Sequence, residues 1–207
     1  MSVSRPTAQD VLDFWFDEAG PAKWYAVSPA FDATVRRRFG KAIEREAVRY
    51  REAVRYREGR HPWLETAEGA LALILLFDQF PRNVWRGSGK AFEFDPLALE
   101  IAERMIERGF DWAVPEARRA FVYMPFMHSE NLADQDRCIE LAAERLDGDS
   151  TLHHARKHRE VIERFGCFPY RNDALGRAST PEETAYLESG GYAPGRNDSA
   201  KSSGGQG

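Results

Sequence analysis

Eight consecutive apolar residues, Ala70 to Phe77 (ALALILLF), run without a break into Asp78, Gln79, Phe80, Pro81, Arg82 and Asn83. A helix that is apolar on every side has no face to give to water, so it must be enclosed. Eight residues are far too few to cross a bilayer, which takes roughly 20. The chain must therefore wrap this segment in other elements, and the sequence predicts that all of them are helices. Val11, Leu12, Trp15 and Phe16 recur at helical spacing between Thr7 and Phe16, and Gly20-Pro21 closes that helix. Ser28 caps the next, with Pro29 at its first position, and Phe31, Val35 and Phe39 form its buried stripe. Thr66 is the expected cap of the buried segment, with Glu68 in its positive first turn. Further helices are expected from Asp95-Pro96 to Gly109, from Pro115 through RRAFVYMPFMHSE with a break or kink at Pro125, from a Ser129 cap to Leu146, and from a Ser150 cap to Phe165-Gly166. In STPEE, Thr180 and Glu183 make a capping box around Pro181. No stretch reads as a strand. The expectation is an all-α fold, a compact array of stacked antiparallel helices, with residues 1–188 as one domain and 189–207 as a disordered tail.

A tandem repeat, EAVRYR at 46–51 and again at 52–57, interrupts this regularity. Six residues advance a helix by about 600°, so the second copy does not present the face of the first. Ile43, Ala47, Tyr50 and Val54 nevertheless share one stripe. The expectation is a longer helix with Tyr50 and Val54 inward and Arg51 and Arg55 in water.

Composition excludes several classes of function. A net charge of −4 over 207 residues gives no field to draw nucleic acid or an anionic membrane. Two cysteines outside any CxxC and an N-terminus without an apolar centre lead to an expectation of a reducing, cytoplasmic setting. RGSGKAF (86–92) lacks the spacing of a phosphate-binding loop. His154 and His158 stand four apart, a metal-compatible spacing, but no third ligand follows at a usable interval, and neither a metal nor a cofactor is expected.

Chemistry concentrates in a few polar words. FDQFPRN (77–83) is echoed by FPYRN (168–172). Asp78 at the end of a greasy helix faces the negative pole of the helix dipole and loses its hydration, so it needs a cation, and Arg82 and Arg171 are the candidates. The two words are expected to meet in one cluster. YMPFMHSENLADQD adds His128 and Glu130, with Glu130 and Asp134 spaced to share a helix face. The candidate site is therefore His128 and Glu130 as acid–base groups, with Asp78, Gln79, Arg82, Asn83, Arg171, Asn172 and Arg177 holding a small anionic molecule. The alternatives are a scaffold that takes a peptide in a groove between helices and a purely structural ion-pair network. The sequence leaves the oligomeric state open.

The same words, with VLDFWF, FDATVRRRFG, ADQ, LGR and STPEE in this order from Val11 to Leu187, resemble the bacterial family called domain of unknown function 924. The resemblance implies an all-α fold similar to tetratricopeptide-like arrays, and it implies no particular reaction. The family pattern carries His where Tyr170 stands and Arg where Cys167 stands, and it lacks the EAVRYR duplication. Tyr170, with an ordinary pKa near 10, would be a poor base in place of an imidazole.

Overall fold

The computed structural model describes residues 5–56 and 61–192, and among these every regular element is a helix. We number the longer helices α1 (Ala8–Leu12), α2 (Pro29–Tyr56), α3 (Ala67–Ile74), α4 (Phe80–Val84), α5 (Asp95–Glu107), α6 (Glu116–His128), α7 (Leu132–Arg145), α8 (Ser150–Phe165) and α9 (Pro181–Glu188). The apolar helix α3 lies at the centre and packs on α1, α5 and α6, while α2 packs along α4. Helices α6, α7 and α8 then stack side by side. Leu71 to Phe77 are essentially without solvent contact, as their composition requires. No described helix is long and apolar enough to cross a membrane.

Local sequence sets most of the helix starts. Thr7 forms a capping box with Asp10, Thr66 accepts from the Gly69 N–H, and Thr180 forms a capping box with Glu183. The Ser28 hydroxyl accepts from the Phe31 N–H at 3.3 Å. Two expected caps move. Asn131, not Ser129, caps α7 by accepting from the Ala133 N–H, because the Ser129 hydroxyl is turned to Asp134 at 2.6 Å. Helix α8 follows Asp149 without a side-chain cap, and Ser150 is its first helical residue. Pro125 does not end α6, which carries on to His128. Past that point the buried Gln135 amide donates to the carbonyls of Met127 and Ser129 at 2.8 and 2.6 Å, so the orphaned end of α6 has its partner.

Helix α2 extends through the first EAVRYR copy as expected, and Tyr50 is fully buried. Val54, however, is 39% exposed, against the expected inward orientation. It lies one further turn along, about 6 Å beyond Tyr50, where the stripe outruns the core that would cover it. Arg51 faces solvent, and the side chain of Arg55 falls outside the described residues. Glu46 of the first copy is buried against His61 at 3.1 Å, whereas Glu52 of the second is exposed. Of the expected tail, Ser189 to Tyr192 fold back so that the Tyr192 N–H meets the Tyr186 hydroxyl at 2.8 Å, and residues 193–207 lie outside the described residues.

The two tyrosine-stripe positions should thus separate sharply in urea unfolding. Tyr50→Ala is expected to cost about 3–5 kcal/mol, as for other buried aromatic truncations. Val54→Ala is expected to stay within about 0.5 kcal/mol. Equal losses would place Val54 in the core.

Candidate functional site

The helix expected to finish at Phe77 does not finish there. The Phe80 N–H donates to the Leu75 carbonyl five residues back, so Leu75–Gln79 form a widened π turn, and the chain continues into α4. Pro81 brings no N–H, and the residue before a proline disfavours tight helical geometry. A single wide turn lets the helix pass this point, and such turns recur at functional sites. Asp78 therefore sits inside a continuous helical path, not at the negative pole of a helix end, and it is completely buried.

Four other elements build a cluster around it. His128, the last residue of α6, faces Asp78 with Nδ1 2.6 Å from Oδ1. Arg82, one turn along, donates to the Asp78 carbonyl and stands 3.5 Å from its carboxylate. The Gln79 amide donates to the other carboxylate oxygen. Arg82 also forms a two-pronged pair with Asp95, the first residue of α5, at 3.0 and 3.0 Å. Arg171 completes the cluster with Nη1 3.5 Å from Asp95. Its guanidinium packs against Phe92 and Phe168, 4.6 and 4.4 Å from the ring centroids. FDQFPRN and FPYRN do meet, and Asp95 bridges their arginines. The side chains of Asp95, His128 and Arg82 keep 16, 15 and 21% of their surface in solvent, so the cluster reaches the surface through them.

Charge in this cluster is closely balanced: two carboxylates face two guanidinium groups. Burial alone would raise the Asp78 carboxyl, but Arg82, then His128 and Gln79, hold it well below the usual range. Asp95 is pushed up by burial, with the Asp78 charge adding to the effect and Arg82 opposing it. His128 is pushed down by burial, against the pull of Asp78 and with help from Arg82. A neutral imidazole beside an ionised carboxylate carries its proton on Nδ1. Nε2 is then a free lone pair with no partner among the described residues. Next to it lies His158, 3% exposed, whose ring centroid is 6.2 Å from that of His128. Burial, then His128, lowers His158 to about 3.

The remaining expected site residues serve other contacts. Both Glu130 oxygens are engaged, accepting from Arg177 at 2.6 and 2.9 Å and from the Phe168 N–H at 2.8 Å. Glu130 precedes α7, so it shares no helix face with Asp134, which is held by Ser129. Asn172 accepts from Arg177 at 2.9 Å and donates to Ser179 at 3.1 Å. Cys167, where the family pattern has Arg, meets Glu183 at 3.1 Å. Asn83 points away from the cluster and donates to Asp32 of α2 at 2.9 Å. His158 spends Nδ1 on the His154 carbonyl at 2.9 Å, and the His154 ring meets the Tyr192 hydroxyl at 2.8 Å. Sequence reasoning missed Asp95 and Phe92 because both looked like ordinary helix-start and turn residues. It read His158 only as half of a metal pair.

Comparisons with known proteins cover the same stretch of the chain as the quoted words. The model of the family described as bacterial protein of unknown function (DUF924) matches residues 11–191. The chain belongs to this family. Among solved structures, that of the protein of unknown function ATU0120 from Agrobacterium tumefaciens is similar, at 46% identity and a TM-score of 0.78, covering 88% of this chain and 97% of that one. Comparison with curated proteins finds no match. For this DUF924 member, the cluster around Asp78 joins three separate motifs that the family resemblance rested on, FDQFPRN, YMPFMHSE and FPYRN, while Glu130, Asn172 and Arg177 hold the segment carrying Arg171 against α6 and α7.

Two measurements test this arrangement. Asp78→Ala removes the shared partner of Arg82 and His128 and should destabilise by about 3–5 kcal/mol in urea. His158 makes stability depend on pH. Below about 6.5 the unfolded chain takes up a proton that folded His158 refuses. Its contribution is therefore complete above that pH and declines as the pH drops toward about 3, by at most ~1.4 kcal/mol per pH unit. His158→Gln should flatten this acid limb, and an unchanged limb would show that His158 is protonated in the folded state.

Proposed function

We propose that the polar cluster around Asp78 binds a small anionic molecule, with Arg171 as its anchor and His128 as an acid–base group. One observation carries this reading. Arg171 is 4% exposed and packed against two rings, yet among the described residues its side chain's polar neighbours stand at 3.4 and 3.5 Å and its Nη2 has no partner. A buried guanidinium with an idle donor is costly, and a ligand oxygen would relieve that cost. Arg82 is already paired to two carboxylates, so it supports the site more than it invites an anion.

His128 has the features of a general base. A buried carboxylate orients it, it is neutral at pH 7, and its free Nε2 lies on the partly open side of the cluster. Glu130 has no oxygen to spare, and its role in this reading is to hold the 168–177 segment through Arg177. The neighbouring surface cavity of about 440 Å³, lined by Tyr170, Asp173, Arg177 and Ser179, is less suited, because its arginine is already paired. The peptide-scaffold alternative gains no specific observation.

Thermal-shift measurements at low ionic strength with acetate, phosphate, sulfate and glycolate test the reading. An anion present at 100 times its Kd should stabilise the wild type by about 2.7 kcal/mol. Arg171→Met, which keeps an apolar stem against the rings, should abolish the response. Glu130→Gln should lower the melting temperature yet keep the response. If no anion acts on the wild type, or if a folded Arg171→Met protein responds equally, the anion site is wrong.

A further inference from the structure

Seven buried side-chain polar atoms have no hydrogen-bond partner among the described residues, and two of them, Arg171 Nη2 and His158 Nε2, flank the same ring. The Arg171 guanidinium lies 4.4 Å from the Phe168 centroid, and the His158 ring stands edge-on to it at 5.4 Å. Both residues are more than nine-tenths buried, with His158 also next to His128. Their demands are opposite in sign. Guanidinium nitrogens only donate, so Arg171 Nη2 requires an acceptor. His158 has committed its Nδ1 proton to the His154 carbonyl at 2.9 Å, so its Nε2 is a lone pair that requires a donor. It stays unprotonated at neutral pH, with burial holding it at about 3.

We infer that the ligand of this site is an oxyanion that also carries a hydroxyl, its charged oxygen accepting from Arg171 and its O–H donating to His158. The inference rests on the anion-binding reading above and narrows it. Two chemical sources meet the requirement: a phosphate group that retains a proton, and a carboxylate with an adjacent hydroxyl. A fully ionised tetrahedral anion of the same size does not, because it would turn an oxygen lone pair toward the His158 lone pair. Each of the two atoms, buried without a partner among the described residues, carries a desolvation cost that a ligand group of the right sign removes. A ligand that displaces water without reproducing both bonds loses affinity. Sites built around a specific hydrogen bond reject analogues that lack it more strongly than apolar pockets reject a missing methylene.

Phosphate against sulfate, and glycolate against acetate, are matched pairs that differ in this donor. Titration calorimetry at pH 7 on the full chain should show phosphate binding at least 10-fold tighter than sulfate, or glycolate at least 10-fold tighter than acetate. The pair that discriminates identifies the source. His158→Phe should bring the favoured pair within about twofold while Arg171-dependent binding persists. Should that variant fail to fold, nitrogen-15 spectra of the wild type replace it. The His158 Nε2 resonance should move when phosphate or glycolate is added and stay in place with sulfate or acetate. Equal affinity within both pairs, abolished by Arg171→Met, would overturn the hydroxyl requirement and leave the anion site standing. Absence of binding by all four would remove both.

Discussion

The Asp78 carboxylate is the interaction on which the rest of the site depends. An ion this deep in an apolar core loses several kcal/mol of hydration, which only close partners can return. Arg82, His128 and Gln79 are those partners, and they come from α4, α6 and the π turn itself. Meeting this requirement draws Asp95 in through Arg82 and Arg171 in through Asp95. One buried charge thereby ties the central apolar helix to α5, to the end of α6 and to the turn after α8.

Other buried charges in the molecule show what a purely structural solution looks like. Asp111 is held through one carboxylate oxygen by Tyr123 at 2.8 Å and Arg145 at 2.7 Å, with Arg119 taking up nearby carbonyls, while its other oxygen has no partner among the described residues. Glu46 meets His61, Arg45 and Arg49. Glu130 and Arg177 form a two-pronged pair that also grips the Phe168 backbone. Each of these networks links two segments through short contacts. The cluster at Asp78 differs in combination, not in any single feature. It holds a neutral histidine with one free nitrogen, an arginine whose contacts are long, and an opening to solvent. Those features together are what the anion-binding proposal rests on.

The helix ends explain how the site is kept in shape. His128 projects from the final residue of α6, a position that would fray if its carbonyls were left to water. Gln135 binds the carbonyls of Met127 and Ser129, so the ADQ word works on His128 from a distance. Arg171 rides on a single 3₁₀ turn, too short to hold itself, and the Glu130–Arg177–Asn172 network fastens it.

Much of this was written into the sequence. Apolar spacing and the caps at Thr7, Thr66 and Thr180 are local signals, decided by residues three or four apart, so they could be read along the chain. The need of Asp78 for cations followed from its burial, and burial followed from ALALILLF. What the sequence could not decide was how the polar words pair. Glu130 carries the same chemistry as Asp95, and Asn83 the same as Asn172, so composition could not tell which would line a cleft and which would lock a loop. Pairing depends on distances between segments tens of residues apart. It was settled by the π turn that re-aims Asp78 and by the packing of α6, α7 and α8, which sets His158 beside His128. Even the one-turn difference between Tyr50 and Val54 is of this kind, because a stripe on a helix is local while the extent of the core that covers it is not.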